Sequence, residues 1–510
     1  MFKAIRKLYQ VNILKPRGFF YLLGSFYREG FNLMALLRFS FKLYPDVIAL
    51  HDDHFKTTYD DLFKNSKKLA HIFEHTFNLE PNTNVALLCK NHLVAVQSLF
   101  ALSRLGVNIY LLNVEMSDSQ IKKIIDNKVF SLIIYDEDKY ETIKGLNVCS
   151  GIPAYHTSMP SLFNILNTHQ EFSKKIKKRR AGKIVLNTGG STGVFKTASR
   201  NPSIRNFINH FLTILIDVNA NQYRSVYVAT PLYHGFGLTA LILSVVMGGE
   251  MFLVKKYRTD EACKLISVNQ IEIIVIVPLM LHRMLNHDRN ALASVKCVIS
   301  GGAALNPKLS TFALQELGNV LFNLYGTSEA GFAIMAKPED LLKKPSTIGK
   351  PIRGVTVKII DENGQDLEKG REGMICIKSR SVMDGQIGRW INTGDMGCID
   401  ENGYFYLRGR KDSMIVSAGE NVYPGDLENE LIKHENIEQA FVMGISDVEF
   451  GERLKAYVVL KEHNTMNEDN ILQWLSGRVA RYQMPVQIIV LEDLPMTLTG
   501  KVDRKKLTEI

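Results

Sequence analysis

Five short stretches of this 510-residue chain gather side chains that handle phosphate, carboxylate or metal. The first is Thr188-Gly189-Gly190-Ser191-Thr192-Gly193-Val194-Phe195-Lys196, just after the apolar, strand-like run 183–186. Small residues let backbone N–H groups approach phosphate oxygens, while hydroxyls and a lysine add donors. It is not a Walker loop, because no stretch has GxxxxGK[ST] spacing. It also spells G-x-S-x-G from Gly189 to Gly193, so a hydrolase nucleophile elbow centred on Ser191 competes with the phosphate reading.

The second stretch, Tyr325-Gly326-Thr327-Ser328-Glu329, follows the apolar run 320–324. A strand end that delivers an aromatic ring, hydroxyls and a carboxylate suits a nucleotide: stacking, phosphate contact and Mg²⁺ respectively. Ser300-Gly301-Gly302-Ala303-Ala304 also follows a strand-like run, where open α/β sheets place ligands, or is simply a tight strand-to-helix turn. The third stretch is Trp390-Ile391-Asn392-Thr393-Gly394-Asp395, where an aspartate on a loop can hold both hydroxyls of a ribose. The fourth is Gly409-Arg410-Lys411-Asp412 followed by Ser417-Ala418-Gly419-Glu420-Asn421, and the fifth Leu498-Thr499-Gly500-Lys501-Val502, close to the last residue. Taken singly, an aspartate at a turn or a lysine near the chain end is an ordinary surface feature.

These residues need a scaffold of more than one core, because a chain of this length exceeds what one hydrophobic core supports. Hydrophobic residues at 46% and charged residues at 22% are ordinary for a globular protein. From about 46 to 360, short apolar runs such as 84–88, 131–135, 225–229, 271–277 and 295–300 alternate with amphipathic stretches, which reads as α/β with a largely parallel sheet. From 347 to 410 the pattern changes. Asn363-Gly364 and Asn402-Gly403 are hairpin-turn dipeptides between β-rich runs, so this part is expected to be antiparallel. The last hundred residues read as a compact unit with strands near 440–445, 455–460 and 487–491. The expected division is a basic segment 1–45, a large domain 46–410 and a small domain 411–510, with the break in the charged run at 410–412.

No apolar run reaches the eighteen or so residues needed to span a bilayer, and 238–247 and 271–281 read as buried core. No secretory signal is visible, and the six scattered cysteines form no CxxC pair, so neither a zinc site nor a disulfide framework is expected and a cytoplasmic setting is. The net charge of +10 suggests anionic partners such as nucleotide, CoA or lipid headgroups. No aromatic-basic motif supports nucleic acid. Residues 1–44 carry eight Lys/Arg against one acid, Glu29, interleaved with aromatics. Two readings stand for this segment: a layer on the inner, anionic face of a membrane, or a helical cap on the large domain. The basic run 174–180 reads as an exposed loop.

The order and spacing of the five stretches resemble the superfamily of acyl- and aryl-CoA synthetases, peptide-synthetase adenylation domains and luciferases. The resemblance runs from Thr58-Tyr59-Asp60-Asp61-Leu62 to Lys501, with the stretch 347–355 and the run 412–428 most similar to fatty-acyl-CoA synthetases. It implies a large region of doubly wound β-sheets with helices and a small antiparallel β subdomain, followed by a small mobile α+β domain carrying a catalytic lysine. The implied reaction activates a medium- to long-chain fatty acid with ATP and Mg²⁺ to acyl-AMP, then transfers the acyl group to CoA or, alternatively, to the phosphopantetheine of a carrier protein. Thr188, Gly189, Gly190, Ser191, Thr192, Gly193 and Lys196 would hold the β- and γ-phosphates. Gly302, Ala303, Tyr325, Gly326 and Thr327 would line the nucleotide site, with Tyr325 on adenine; Ser328 would contact the α-phosphate, and Glu329 would bind Mg²⁺. Asp395 and Arg410 would hold the ribose, and Lys501 would reach the acyl carboxylate. His234 in Pro231-Leu232-Tyr233-His234-Gly235-Phe236-Gly237 matches the family's acyl-site motif, with Tyr233, Phe236, Gly237 and Gly301 around the acyl group. Asp412 would be the hinge, and Gly419 with Glu420 would line the pantetheine tunnel. The phosphate loop departs from the family's TSGTTGxPKG: Gly189 stands for serine, Phe195 for proline and Thr197 for glycine.

Overall fold

The computed structural model describes residues 2–146, 150–168, 176–188, 196–200, 203–417, 420–447, 451–461, 466–497 and 500–510. Two large sheets share one core. The larger orders its strands Lys350–Pro351, Gly331–Ala336, Leu321–Thr327, Cys297–Gly301, Ile273–Ile276, Ser225–Val228, Glu250–Leu253, Ile48–His51 and Lys56–Thr58. Its centre is parallel and both edges are antiparallel. The second sheet runs Gly151–Pro153, Leu132–Tyr135, Asn84–Leu88, Asn108–Leu111, Ile184–Thr188 and Lys196–Arg200, parallel except for the last pair. The central strands are buried along their whole length, as runs like Ile273–Ile276 and Leu132–Tyr135 require of strands covered on both faces. The α/β reading of 46–360 is thus what the chain builds.

The helices start where local chemistry tells them to. Thr58 caps Tyr59–His75 by accepting the Asp61 N–H at 3.1 Å. Asn306 caps Pro307–Leu317 by accepting the Lys308 N–H at 2.8 Å, with proline at the first helical position. The helices Thr259–Asn269, Pro278–Asp288 and Pro307–Leu317 cover one face of the larger sheet and enclose a second core with Ile266, Met280, Met284 and Ala313.

An antiparallel four-stranded sheet follows: Thr356–Ile360, Gly373–Lys378, Ile391–Ile399 and Phe405–Arg410. Asn402-Gly403 sits in the tight turn between the last two, where Gly403 has φ +79°. Asn363-Gly364 does not join two strands of the sheet directly. It closes a local turn with a single bridge from Ile360 to Asp366, and the chain wanders six more residues before the next strand. Residues 415–491 form a separate five-stranded sheet around its own core of Val442, Leu454, Ala456, Ile471 and Ile488.

The first forty residues are three helices, α1 (Phe2–Gln10), α2 (Pro16–Glu29) and α3 (Leu33–Leu43). α3 is core: Met34, Leu37 and Phe39 are fully buried, and Ser40 donates to the Val245 carbonyl at 2.5 Å. At the end of α2 the buried Glu29 accepts from Arg104 Nε at 2.8 Å and Arg38 Nη1 at 3.4 Å. Removing Glu29 would strand the buried Arg104 guanidinium, a loss of about 3–5 kcal/mol. The segment is therefore bolted to the body, as the helical-cap reading expects.

Candidate active site

The antiparallel edge of the large sheet and the four-stranded sheet meet at Tyr325. Its hydroxyl donates to Asp395 Oδ2 at 2.6 Å, joining the two residues expected at adenine and ribose. Burial first, and then Asp395, push the Tyr325 phenol far above its ordinary pKa, so it stays a donor. Asp395 is not on a loop. It lies within the strand Ile391–Ile399, opposite Arg410 in Phe405–Arg410, because Thr393 and Ile391 alternate inward and carry the strand through the Asn-Thr-Gly sequence. Thr393 Oγ1 accepts the Asp395 N–H at 3.1 Å and donates to the Ile375 carbonyl at 2.9 Å. Arg410 Nη1 donates to the Thr393 carbonyl at 3.0 Å and stands 3.6 Å from Asp395 Oδ1. Gly394 makes this possible: its φ is +75°, and a Cβ there would come within 3.0 Å of the Arg410 guanidinium.

The turn after Tyr325 carries Thr327, Ser328 and Glu329. Thr327 Oγ1 accepts the Ala330 N–H at 3.1 Å, and the Glu329 carbonyl accepts the Met383 N–H at 2.9 Å, so the turn is fastened at both ends. Arg200 fastens it from the second sheet, donating to the Ser328 carbonyl and, through Nε, to the Ser381 carbonyl at 2.9 Å. Burial lowers the Arg200 pKa, and the nearby Glu329 and Asp384 pull it back up. Sequence reasoning missed Arg200. The one signal was an arginine four residues past Lys196 on a strand whose neighbour Ala198 is buried. One carboxylate beside substrate phosphates is the usual protein share of a Mg²⁺ site, so Glu329 fits the implied ion.

Lys501 comes to this place from the other end of the chain. Gly500 is buried with φ +73°, and a Cβ on it would lie 2.1 Å from Val277 Cγ2 and 3.2 Å from Met280 Cε. The glycine is what lets the loop seat against the large sheet. Lys501 is exposed, and it is near enough to Asp395 and Arg410 to feel their charges. Crowding lowers its ammonium pKa, Asp395 pulls it up and Arg410 pushes it down. His234 is near enough to Lys501 to feel its charge. Its Nε2 is shielded and has no hydrogen-bond partner among the described residues. Burial, with Lys501 adding, drops its pKa to about 4, so it is a neutral imidazole. Around it are the buried Tyr233 and Gly237 and the half-buried Phe236. A Cβ on Gly301 would sit 3.0 Å from the Leu324 carbonyl and 3.4 Å from Phe236 Cζ, so the wall there is backbone.

The small sheet reaches the large region through more than this loop. Arg283 pairs with Asp493 at 2.5 Å, Glu438 accepts from Asn286 at 2.8 Å and bonds His282 at 3.0 Å, and Lys308 donates to the His434 carbonyl at 3.2 Å.

Other expected residues are placed less fully. Thr188 stands opposite Lys196 on two antiparallel strands, and Gly189, Gly190, Ser191, Thr192 and Gly193 between them lie outside the described residues. So do Ala418 and Gly419, which fall in sequence between the strands Ile415–Ser417 and Glu420–Val422. Asp412 is in the short turn Lys411–Ser413 that leads from the four-stranded sheet to the small one. Gly302, at φ +80°, and Ala303 follow the strand Cys297–Gly301. A buried trio Cys89, His92 and Asp136 has ligand-type atoms close together. Both His92 nitrogens are already used: Nδ1 accepts from the Ala95 N–H at 3.2 Å, capping the helix Leu93–Leu105, and Nε2 is bonded to Asp136 at 2.8 Å.

Fold and site together define an enzyme in which a buried carboxylate network meets a lysine carried in by a separate small sheet. The chain belongs to the AMP-binding enzyme family: that family's model matches residues 37–386, and the model of the AMP-binding enzyme C-terminal domain matches 426–501. It is similar to 2-succinylbenzoate–CoA ligase of Bacillus licheniformis, 27% identical over 481 residues, covering 91% of this chain and 97% of that protein. The same enzyme of Bacillus subtilis (strain 168) is 26% identical over 493 residues, covering 92% and 96%. Among solved structures, o-succinylbenzoate CoA synthetase from Bacillus subtilis with its acyl-adenylate superposes with a TM-score of 0.79 at 25% identity, covering 92% of this chain and 97% of that one. ATP-bound MatB from Rhodopseudomonas palustris gives 0.81 at 24%, covering 94% and 98%.

Proposed function

We propose that the chain is an AMP-forming ligase that joins a carboxylic acid with an apolar body to CoA. The observation that carries this is Lys501, brought within reach of the charges of Asp395 and Arg410 and beside the neutral His234. Two anions, an acid and ATP, must meet, and a cation at their junction offsets the repulsion and the charge that develops on the α-phosphate. Asp395, oriented by Tyr325 and Thr393, takes the ribose hydroxyls, and Arg410 flanks it. Glu329 and the backbone of its turn hold the phosphate end, where Mg²⁺ when bound neutralises phosphate charge. Neutral His234 borders the acid without adding a second fixed charge. The loop at Gly419 serves the thiol step, with Asp412 as the hinge between the two arrangements.

The acid itself has two readings. A medium- or long-chain fatty acid is favoured by the apolar walls at Tyr233, Phe236 and Gly301 and by the stretches at 347–355 and 412–428. 2-Succinylbenzoate is favoured by the relatives that bear that name. A cytoplasmic enzyme fits both. The test is pyrophosphate release over a panel of fatty acids from short to long, benzoate and 2-succinylbenzoate, with and without CoA. Preference for a fatty chain with thioester formed on CoA sustains the first reading, and preference for 2-succinylbenzoate the second. Thioester appearing only on a carrier protein would replace CoA as acceptor. ATP-independent ester cleavage with fluorophosphonate labelling at Ser191 would overturn the ligase.

A further inference from the structure

α1 and α2 turn the wrong side to water. In α1 the residues Phe2, Ile5 and Tyr9 are exposed, and in α2 so are Phe20, Leu23 and Tyr27. Both sets have the spacing i, i+3, i+7, which puts three apolar side chains on one helical face. Phe2 is 89% exposed, Phe20 70% and Tyr27 74%. Phe19 and Phe31 are exposed beside them, the latter stacked on Phe26 with ring centroids 4.9 Å apart. Meanwhile the opposite sides are engaged: Lys7 donates to Asn221 at 2.9 Å, and Gly18, Ser25 and Glu29 are buried. The outward faces are thus fixed in place by the anchored inward ones.

The charge around these faces has one sign. Lys3, Arg6, Arg17 and Arg28 are exposed, whereas the segment's single acid, Glu29, is consumed in its buried pairs with Arg104 and Arg38. The described part of the basic run, 176–180, belongs here too. Arg104 donates to the Lys177 carbonyl at 2.7 Å, the Ala181 N–H donates to the Phe31 carbonyl at 2.9 Å, and the Lys178 ammonium lies 3.7 Å over the Tyr27 ring. Two basic stretches far apart in sequence therefore make one surface. The family match begins at residue 37, so α1 and α2 lie outside it.

We propose that this face seats the protein on an anionic lipid surface, with α1 and α2 lying in the headgroup layer. Helices of nine and fourteen residues are too short to cross a bilayer, and no helix of the described residues is long and apolar enough to do so. Apolar side chains that enter the acyl boundary, rimmed by cations that meet lipid phosphates, are what in-plane attachment needs. A second copy is a poor occupant, because apposing two such faces would bring cation against cation with no exposed acid in the segment to answer it.

The test uses the full chain, sedimented with phosphatidylcholine vesicles and with vesicles containing phosphatidylglycerol. Wild type should pellet with the anionic vesicles and release at high salt. Each cation near such a surface contributes about fivefold in partition, so the triple variant Arg6→Gln/Arg17→Gln/Arg28→Gln should bind about a hundredfold more weakly. Phe2→Ser/Phe20→Ser/Tyr27→Ser should lose at least about tenfold by withdrawing the inserted rings. All three substituted side chains in each variant are exposed, and pyrophosphate release without vesicles checks that both variants remain folded. Wild type failing to pellet with either vesicle overturns the proposal. So does binding that ignores lipid charge, or self-association that the ring variant abolishes.

Discussion

The corner proposed for the nucleotide and the lysine proposed to serve it are held in opposite ways. Thr393, Asp395 and Arg410 belong to two neighbouring strands of one sheet, Tyr325 joins them from the edge of the large sheet, and all four are tied by hydrogen bonds of 2.6 to 3.1 Å. Lys501 is placed by a glycine lodged against Val277 and by a few polar contacts between two regions with separate cores. The first arrangement can change only if a sheet comes apart or the two sheets part from each other. The second can be undone by letting go of Asp493, Glu438, the His434 carbonyl and one glycine. A site built this way suits a reaction of two steps, in which the nucleotide stays and the groups around it are exchanged.

The sharpest way to break that comparison is Lys501→Ala. Pyrophosphate release should fall about 10²–10³-fold, as losing one preorganised donor to developing charge usually does. Conversion of synthetic acyl-AMP plus CoA to thioester should survive. Equal loss in both half-reactions, with the protein folded, would mean that the lysine is part of the fixed corner. Asp395→Ala comes next and should do the reverse in kind, weakening AMP binding about ten- to hundredfold by calorimetry. Tyr325→Phe should reproduce a smaller part of that loss, since it leaves Asp395 present but unheld. An unchanged affinity in Tyr325→Phe would show that the phenol does not orient the carboxylate.

Docking through Gly500 is tested by Gly500→Ala, which adds a clash with Val277 and a strained φ. Adenylation should drop about tenfold. A Val277→Ala background should restore the share due to the clash; identical losses in both backgrounds would place the docking contact elsewhere. Adenylation should also fall at alkaline pH as the Lys501 ammonium, whose pKa is lowered from 10.5, gives up its proton. Lys501→Arg should move that limb to higher pH, and His234, near 4, should add no inflection above about pH 5.

The smallest effect concerns the small sheet alone. Glu428 is packed in the small region's interior, accepts the Val442 N–H at 2.9 Å, and has its pKa raised to about 7 by burial. An acid whose pKa is raised on folding binds a proton that the unfolded chain would release. Stability is therefore lost as pH climbs from about 4.5 through 7. Glu428→Gln should flatten that slope in a thermal melt between about pH 5 and 8. The gain at the alkaline end should be about 1 kcal/mol, reduced by the solvent the carboxylate still meets. Adenylation rates should not change if the two regions are as separable as their cores imply.

Much of this was readable from residue order. Alternation of apolar runs with amphipathic stretches named the α/β region, since strands buried on both faces must be apolar throughout. Turn dipeptides marked the antiparallel sheet, although Asn363-Gly364 closes a smaller turn than its chemistry suggested. The family followed from five motifs in a set order, none of them decisive alone. What the one-dimensional pattern could not carry was proximity. Asp395 looked like a loop residue because Asn392 and Gly394 flank it, yet strand pairing with Phe405–Arg410 overrides local preference. Arg200 had no motif, and only the packing of one sheet's edge against the next brings it to Ser328 and Glu329. The two basic stretches at 1–44 and 174–180 read as unrelated until Arg104, Phe31 and Tyr27 joined them. Composition and motif order determine which chemistry the chain can do. Tertiary structure decides which side chains share a cleft and which apolar faces are left outside, because burial and hydrogen-bond closure are properties of contacts that sequence neighbours do not make.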